Sequence, residues 1–194
     1  MDAHHDVIWQ RAVPLLGVRD NDVHTLYCYR FARALCGLHP AADAEIVIPA
    51  ILLHDIGWST VPPDKILQSF GPRTEYPELR RQHEVEGARL AREILTAVGH
   101  SPARTDAIAG IIDGHDTRAH ALSLEDRLVK DADKLWRYTP FGLETVRGWF
   151  GHSVDEQLTL LDDWCRTRFF DDAARHMALG LLTGLTAERE LRRG

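Results

Sequence analysis

Apolar residues recur along this chain mostly at intervals of three and four positions, and strict alternation of apolar and polar residues is almost absent. The first spacing places apolar side chains on one face of an α-helix, whereas alternation is typical of a half-buried strand. The pattern therefore predicts an all-α fold. The predicted helices cover residues 20–37, 41–57, 77–99, 101–115 and 123–138, and two or three more follow in the C-terminal third.

The segment between the second and third predicted helices, residues 58–77, is interrupted by several prolines. Because proline fixes φ and removes a backbone donor, we expect a loop with at most one short helix. Gly57 is expected to end the helix before it, and Ser153 and Glu156 stand in register for a capping box that opens a later helix. The loop directly follows a His-Asp pair, which favours a lid or substrate-contacting role.

Length and composition limit the functions that fit. The chain has 194 residues, 44% apolar and 27% charged, which is enough for one buried core, so we expect a single domain over residues 1–194. The net charge of −6 and the absence of a basic run argue against sustained nucleic-acid binding and favour a small-molecule substrate. No window approaches the roughly 20 apolar residues of a membrane span, and the first residues lack the pattern of a signal peptide.

The cysteines indicate the compartment. Cys28, Cys36 and Cys165 are scattered and form no C-x-x-C pair. This usage is typical of a reducing environment and gives neither a disulfide framework nor a thiolate metal site. We therefore expect a cytoplasmic protein.

The stretch AILLHDIGW, residues 50–58, places His54 and Asp55 at the end of an apolar run. An unpaired buried carboxylate is costly, whereas a divalent cation can hold several imidazoles and carboxylates in one buried site. The other predicted core helices also carry residues of ligand type, so a shared metal site is predicted. The candidate ligands are His24, His54, Asp55, His83, His115 and Asp131.

Two further aspartates flank these candidates. Asp133 is interpreted as a solvated or salt-bridged partner of Lys130, Lys134 or Arg137. Asp116 is interpreted as a turn residue or as a group that orients an imidazole.

At these residues the sequence resembles the HD superfamily of metal-dependent phosphohydrolases, over about residues 20–140. Four residues match its H…HD…D signature in order and approximate spacing, and two match the additional histidines of its two-metal branches. The resemblance implies one bundle of helices around a metal pair, with further helices in residues 140–194. It implies that one metal is held by His24, His54, Asp55 and Asp131, and the other by His83 and His115, with Asp55 shared.

The leading hypothesis is a phosphohydrolase that acts on a nucleotide or another small phosphorylated metabolite through a metal-activated water. The expected cofactor is a divalent transition metal, with two ions of iron or manganese in first place and zinc, nickel, cobalt or magnesium left open. The predicted catalytic residues are Asp55 as the shared ligand and Lys134 and Arg118 as phosphate contacts, with Arg73 as a further cationic candidate. Trp58 stands where some nucleotidase members carry an acidic residue, which counts against a 5′-nucleotidase.

Two other functions are left open. HD-fold proteins with a mixed-valent diiron pair can be oxygenases that cleave C–C or C–P bonds, and the same six ligands would serve them. A non-catalytic domain that binds a metal or a nucleotide is the third hypothesis. The apolar positions near the C-terminus can serve either the core or a homodimer; they are Leu158, Leu161, Trp164 and Cys165.

Overall fold

The protein is described here by a computed structural model of residues 1–71 and 74–192, and within those residues the regular structure is helical, with no strand. The α-helices are α1 (Ala3–Ala12), α2 (Asn21–Leu38), α3 (Ala44–Leu53), α4 (Pro77–Ala97), α5 (Pro102–Ile112), α6 (Leu124–Leu135), α7 (Pro140–Phe150), α8 (Val154–Thr167) and α9 (Asp172–Leu191). The all-α prediction is confirmed. The expected loop contains two 3-10 helices, Ile56–Thr60 and Pro63–Gln68.

Helix α1 is the element that the sequence pattern did not predict. Asp2 caps it by accepting a hydrogen bond from the backbone N–H of His5. Ile8 and Ala12 are fully buried one turn apart. Two such positions give too short an apolar pattern to reveal an amphipathic helix, because the periodicity has to repeat to be recognised.

Helix α3 lies at the centre of the fold, and its residues 47–53 are all buried. It packs against α1, α2, α5 and α6. A helix that is apolar on all sides is typical of such a position. Burial of each of its leucine and isoleucine side chains contributes about 1.5–3 kcal/mol. The central helix therefore holds the turn that follows it, residues 54–57, in a fixed position.

The C-terminal third forms α7, α8 and α9, and the predicted capping box of Ser153 and Glu156 opens α8. The Tyr138 hydroxyl donates to the carbonyl oxygen of Leu161 at 2.9 Å, which ties α8 to the end of α6. Leu161 and Cys165 are buried in the core. The homodimer stays a prediction. None of the helices in residues 1–71 and 74–192 is long and apolar enough to cross a membrane, and the cytoplasmic location also stays a prediction.

Candidate metal centre

His54 and Asp55 lie in the turn after α3 and not inside a helix. Helix α3 ends at Leu53, and the 3-10 helix begins at Ile56. Nδ1 of His54 donates a hydrogen bond to the carbonyl oxygen of Ile51 at 2.8 Å, one of the carbonyls left over at the helix end. This bond fixes the ring and leaves Nε2 of His54 with its lone pair.

Gly57 does not end α3; it permits close contact between the turn and α4. A Cβ atom on Gly57 would lie 1.9 Å from the carbonyl oxygen of His83 and 2.6 Å from the backbone nitrogen of Gly87. Only glycine fits this position without moving one of the two backbones. The close approach brings His83 beside the His-Asp pair.

A first group of ligand atoms comes from α2, the turn after α3, and α6. Nε2 of His24 lies 3.0 Å from Nε2 of His54 and 3.4 Å from Oδ1 of Asp133. Nε2 of His54 lies 3.7 Å from the same aspartate oxygen. Both histidines are buried. These three residues could hold one metal ion.

A second group comes from α4 and from the turn after α5. Nε2 of His83 lies 3.5 Å from Nε2 of His115 and 4.0 Å from Oδ2 of Asp116. Nδ1 of His115 donates to the carbonyl oxygen of Ile112 at 2.9 Å, repeating the arrangement at His54. His83, His115 and Asp116 could hold a second ion.

Two buried charged residues fix the turn that carries His115 and Asp116. The Glu84 carboxylate accepts hydrogen bonds from the backbone N–H groups of Asp116 and Thr117, both at 2.8 Å. The Lys130 ammonium donates to the carbonyl oxygens of Gly114 at 2.8 Å and His115 at 2.7 Å. The turn is therefore held from α4 on one side and from α6 on the other.

Asp55 lies between the two groups, and its two oxygens face different ones. Oδ2 is 3.4 Å from Nε2 of His24, whereas Oδ1 is 3.6 Å from Nε2 of His115 and 3.8 Å from Nε2 of His83. The indole N–H of Trp58 donates to Oδ1 at 3.0 Å, and the indole ring stacks on the His83 imidazole at a centroid distance of 3.8 Å. Trp58 therefore orients both the shared carboxylate and one of the histidines.

The chemistry of these atoms fits a bound cation. Because Nδ1 of His54 and Nδ1 of His115 each donate to a carbonyl, Nε2 is the ring nitrogen that faces the other imidazoles and the carboxylate oxygens. Burial lowers the pKa of His24 to about 3 and that of His83 to about 4, so these imidazoles are neutral ligands at pH 7. Nitrogen and carboxylate ligand atoms this close together repel one another unless a proton or a metal ion lies between them.

The carboxylates of Asp55 and Asp116 raise the affinity of His115 for a proton. Burial lowers the pKa of His115, but its contact with Asp55 and the charge of Asp116 outweigh that effect and raise the pKa to about 9. Burial raises the pKa of Asp116, but the charges of His115 and Arg80 lower it to about 2. A field that retains a proton on His115 also favours a divalent cation in the same place.

Asp131 does not lie with the other predicted ligands. Its buried carboxylate accepts hydrogen bonds from the backbone N–H groups of Phe170 at 3.0 Å and Asp171 at 2.8 Å, and from the Lys134 ammonium at 2.9 Å. Asp133 takes the expected place instead. Residues two apart on a helix point about 200° apart, so only one of the two aspartates of α6 can face the cluster, and in this structure it is Asp133 and not the predicted Asp131.

A family model of the HD domain matches residues 21–137. The chain belongs to the HD domain family. The match includes every residue of the two ligand groups and Asp55. Members of the HD superfamily are generally metal-dependent hydrolases, and this HD domain has a His/Asp cluster that could bind metal.

The fold of this HD domain agrees with a solved structure. It resembles the crystal structure of a predicted HD superfamily hydrolase from an uncultured Thermotogales bacterium, with a TM-score of 0.63 and 20% sequence identity over 96% of this chain and 90% of that chain. At this identity the likeness shows the shared fold. No curated protein sequence matches the chain significantly.

The cations predicted to bind phosphate have unequal surroundings in the HD domain. Arg118 donates to the carbonyl oxygen of Asp113 at 2.7 Å and pairs with the buried Asp126 at 3.1 Å, so its charge is already neutralised and it holds the end of α5. Both Arg118 and Lys134 line the large cavity beside the ligand groups, and Lys134 also pairs with Asp131. Arg73 lies outside the described residues.

The two ligand groups open into a cavity of about 1060 Å³. His24, Asp55, His115 and Asp133 contribute to its wall. Aromatic side chains from both the HD core and the C-terminal helices form much of the remainder; they are Trp58, Phe70, Trp136, Trp149, Phe150, Trp164, Phe169 and Phe170. The cavity also contains arginines that the sequence analysis did not single out, namely Arg19, Arg80, Arg137 and Arg168.

Arg19 differs from the arginines beside it. Arg80 pairs with Asp116 at 3.1 Å, and Arg137 lies 3.6 Å from Asp133. The Arg19 guanidinium has no carboxylate partner among residues 1–71 and 74–192, and it lies about 5 Å from three aromatic ring centroids, those of Trp58, Phe70 and Trp149. No sequence signal marks this residue, because the rings around it come from distant parts of the chain.

Proposed function

We propose that this chain is a metal-dependent phosphohydrolase that acts on a nucleotide or another small phosphorylated metabolite. The observation that carries the proposal is the position of Asp55, whose two oxygens face two separate ligand groups at the wall of a large cavity. Membership of the HD domain family supports hydrolysis. The cations and aromatic rings of the cavity support a substrate that is both anionic and partly planar.

Two divalent ions would share Asp55. The remaining ligands would be His24, His54 and Asp133 for one ion, and His83, His115 and Asp116 for the other. A bound pair of this kind supplies an activated water at neutral pH and neutralises charge on phosphoryl oxygens. The mixed imidazole and carboxylate donors suit iron, manganese, zinc, cobalt and nickel, and suit magnesium less because it prefers oxygen ligands.

Arg19 would bind the phosphate group that faces the metal centre. Its guanidinium is charged at any physiological pH and presents a planar set of donors that matches two phosphoryl oxygens. The three aromatic rings hold it without neutralising it. Its backbone has a φ of 55°, in the left-handed region that non-glycine residues rarely adopt, so the fold fixes this side chain at a conformational cost.

The remainder of the cavity would bind the rest of the substrate. Its volume of about 1060 Å³ lies at the upper end of small-molecule sites, so it can enclose a molecule of nucleotide size. The aromatic walls exclude water from one side of the substrate and offer flat surfaces for a base. Lys134, whose ammonium lies 4.5 Å from the Phe170 ring, is the cation farther along α6 that can contact a second anionic group.

The test is hydrolysis by the full chain after reconstitution. Protein purified without oxygen and loaded separately with Fe²⁺, Mn²⁺ or Zn²⁺ would be assayed for phosphate and nucleotide release from nucleoside polyphosphates, monophosphates and sugar phosphates. We expect turnover with metal, none without it, and none in Asp55→Asn. The matched control is Asp64→Asn, because Asp64 is an exposed aspartate of the neighbouring 3-10 helix and should leave activity unchanged.

The same panel separates the other two hypotheses. Each assay would be run with and without dioxygen, and phosphonates and polyols would be included. Oxygen-dependent consumption of one of these, with no hydrolysis of any phosphorylated compound, would replace the proposal with an oxygenase. Bound metal without turnover in either arm would favour a binding domain.

A further inference from the structure

A second group of histidines lies where α1 meets α3 and the turn before α5, outside the cavity of the candidate metal centre. His4 and His5 come from α1, Glu45 from the first turn of α3, and His100 from the turn between α4 and α5. Nε2 of His4 is 3.2 Å from Nδ1 of His100 and 3.8 Å from Oε2 of Glu45. None of these four residues lines the large cavity.

The His100 ring is oriented so that it presents a lone pair to His4. Its Nε2 donates to the backbone carbonyl oxygen of Glu45 at 3.2 Å, so Nδ1 carries no proton. His100 is largely buried, so this orientation of the ring is fixed by the surrounding residues. A neutral imidazole with one nitrogen anchored on a carbonyl is the usual form of a metal-binding histidine.

His5 gives independent evidence that points to a cation. Its Nδ1 contacts Oδ2 of Asp2 at 2.6 Å, which places the proton on Nδ1. The other nitrogen, Nε2, is buried and has no hydrogen-bond partner, yet it lies 3.6 Å from Oε1 of Glu45. His5 is 5% exposed, so water does not readily satisfy this atom. A lone pair aimed at a carboxylate oxygen is unfavourable unless positive charge lies nearby.

The distances agree with the size of a zinc-class ion. Metal–nitrogen bonds of about 2.0–2.1 Å in a tetrahedral site place ligand atoms about 3.3 Å apart. The His4 and His100 nitrogens, 3.2 Å apart, already have this separation, and the Glu45 oxygen is slightly farther away. The ligand atoms of His4, Glu45 and His100 all lie within 4.8 Å of one another.

We propose that His4, Glu45 and His100 form a second metal site, for a divalent ion of the zinc, nickel and copper group, with His5 beside the other oxygen of Glu45. Nitrogen donors favour these ions over magnesium or calcium. The site would have a structural role, because it joins α1, which lies before the residues matched by the HD family model, to α3 and to the turn before α5. It does not depend on the proposed function.

The experiment uses metal-free full-length protein titrated with Zn²⁺ against a chromophoric chelator, and with Co²⁺ by its visible absorption. Asp55→Ala removes the ligand shared by both ions of the main centre, and we expect this variant to retain one zinc equivalent per chain with a tetrahedral cobalt spectrum. Adding His4→Gln should weaken that binding at least tenfold. His176→Gln, at an exposed histidine of α9, should leave it unchanged.

The second measurement is the thermal stability of each variant with and without zinc. Zinc binding to the native state should raise the Tm of wild type by several degrees more than that of His4→Gln. Circular dichroism would verify that each variant is folded, and Glu45→Gln, which keeps the size of the side chain, should also lose the site. Binding that is unchanged in both variants would overturn the proposal. The same holds if Asp55→Ala binds no zinc at any pH between 6 and 8, because the cluster would then be held by protons alone.

Discussion

At the scale of single residues, the two carboxylate oxygens of Asp55 make different contacts. One faces the histidine of α2, and the other faces the histidines of α4 and of the turn after α5. A residue in this position contributes to both ions of a metal pair, whereas each histidine contributes to one. The effect of removing a ligand should therefore depend on which ligand is removed.

We expect Asp55→Ala to lose both metal ions and His83→Ala to lose only one. Metal per chain in anaerobically purified protein, measured by mass spectrometry, checks this difference. His152→Ala is the control, because His152 lines the same cavity but contacts Gln157 instead of the ligand groups. A wild-type content of one metal per chain would remove the two-ion arrangement, and no bound transition metal in wild type would contradict the site as a whole.

The two aspartates of α6 should have opposite phenotypes. Asp133→Ala should abolish metal binding by the first group with little loss of stability. Asp131→Ala should keep the metal but lower the free energy of unfolding by about 1–3 kcal/mol, because the backbone N–H groups of Phe170 and Asp171 lose their acceptor. Metal content and denaturant unfolding of both variants would be measured in parallel to test this difference. An Asp131 variant that is stable but metal-free would show that Asp131, and not Asp133, is the metal ligand.

Most of the site was predictable from residue types and order. Five of the predicted ligand residues converge, as expected for ligand-type residues carried by apolar helices that pack around one core. They are His24, His54, Asp55, His83 and His115. The choice between Asp131 and Asp133 was not predictable. Buried residues on α6 flank both positions, so the apolar pattern does not show which carboxylate faces the histidines and which faces the backbone of residues 170–171.

At the scale of elements, the positions at which helices end determine the geometry of the candidate site more than the helix lengths do. Helix α3 ends before His54 and α5 ends before His115, and in both cases the histidine ring bonds to a carbonyl of the helix it follows. The periodic pattern predicted that the helices exist but extended both through the ligand residues. Helix ends depend on hydrogen bonds that periodicity does not record.

We expect Gly57→Ala to separate the turn after α3 from α4. The added Cβ would overlap the carbonyl oxygen of His83, so one backbone must move. The second metal should bind more weakly, and Tm should fall by about 5 °C or more. Gly37→Ala is the control, since a Cβ there meets nothing within 4 Å and should stabilise α2 slightly. Normal metal content and Tm in Gly57→Ala would contradict the role of the close approach.

At the scale of the whole molecule, the cavity belongs to two parts of the chain. The metal ligands lie within residues 21–137, the range matched by the HD family model. Trp149, Phe150 and Trp164 come from α7 and α8, which follow that range. The part matched by the family model thus contributes the candidate ligands in the cavity wall, and the C-terminal helices contribute much of its aromatic surface. This division could not be predicted from sequence, because the aromatic residues of α7 and α8 also suit an ordinary core.

We expect Arg19→Gln to lower kcat/KM by about 10- to 100-fold, which corresponds to the about 1.5–3 kcal/mol of a hydrogen bond to a charged group. Metal content should not change, because Arg19 contacts aromatic rings and not the ligand groups. Arg19→Lys should restore part of the activity. Arg33→Gln, at an exposed arginine of α2, is the control. An unchanged kcat/KM in Arg19→Gln would remove this residue from substrate binding.

The hydrogen bonds of Asp131 have a consequence for how the cavity opens. Phe170, part of the cavity wall, is 38% exposed and stands between α8 and α9, where backbone amides normally exchange their hydrogens with solvent quickly. Because a buried carboxylate holds the amides of Phe170 and Asp171, we expect both to exchange as slowly as amides inside α6, measured by native-state hydrogen–deuterium exchange. Slow exchange would mean that the wall of the cavity at Phe170 is rigid and does not open by local movement of this connection between α8 and α9.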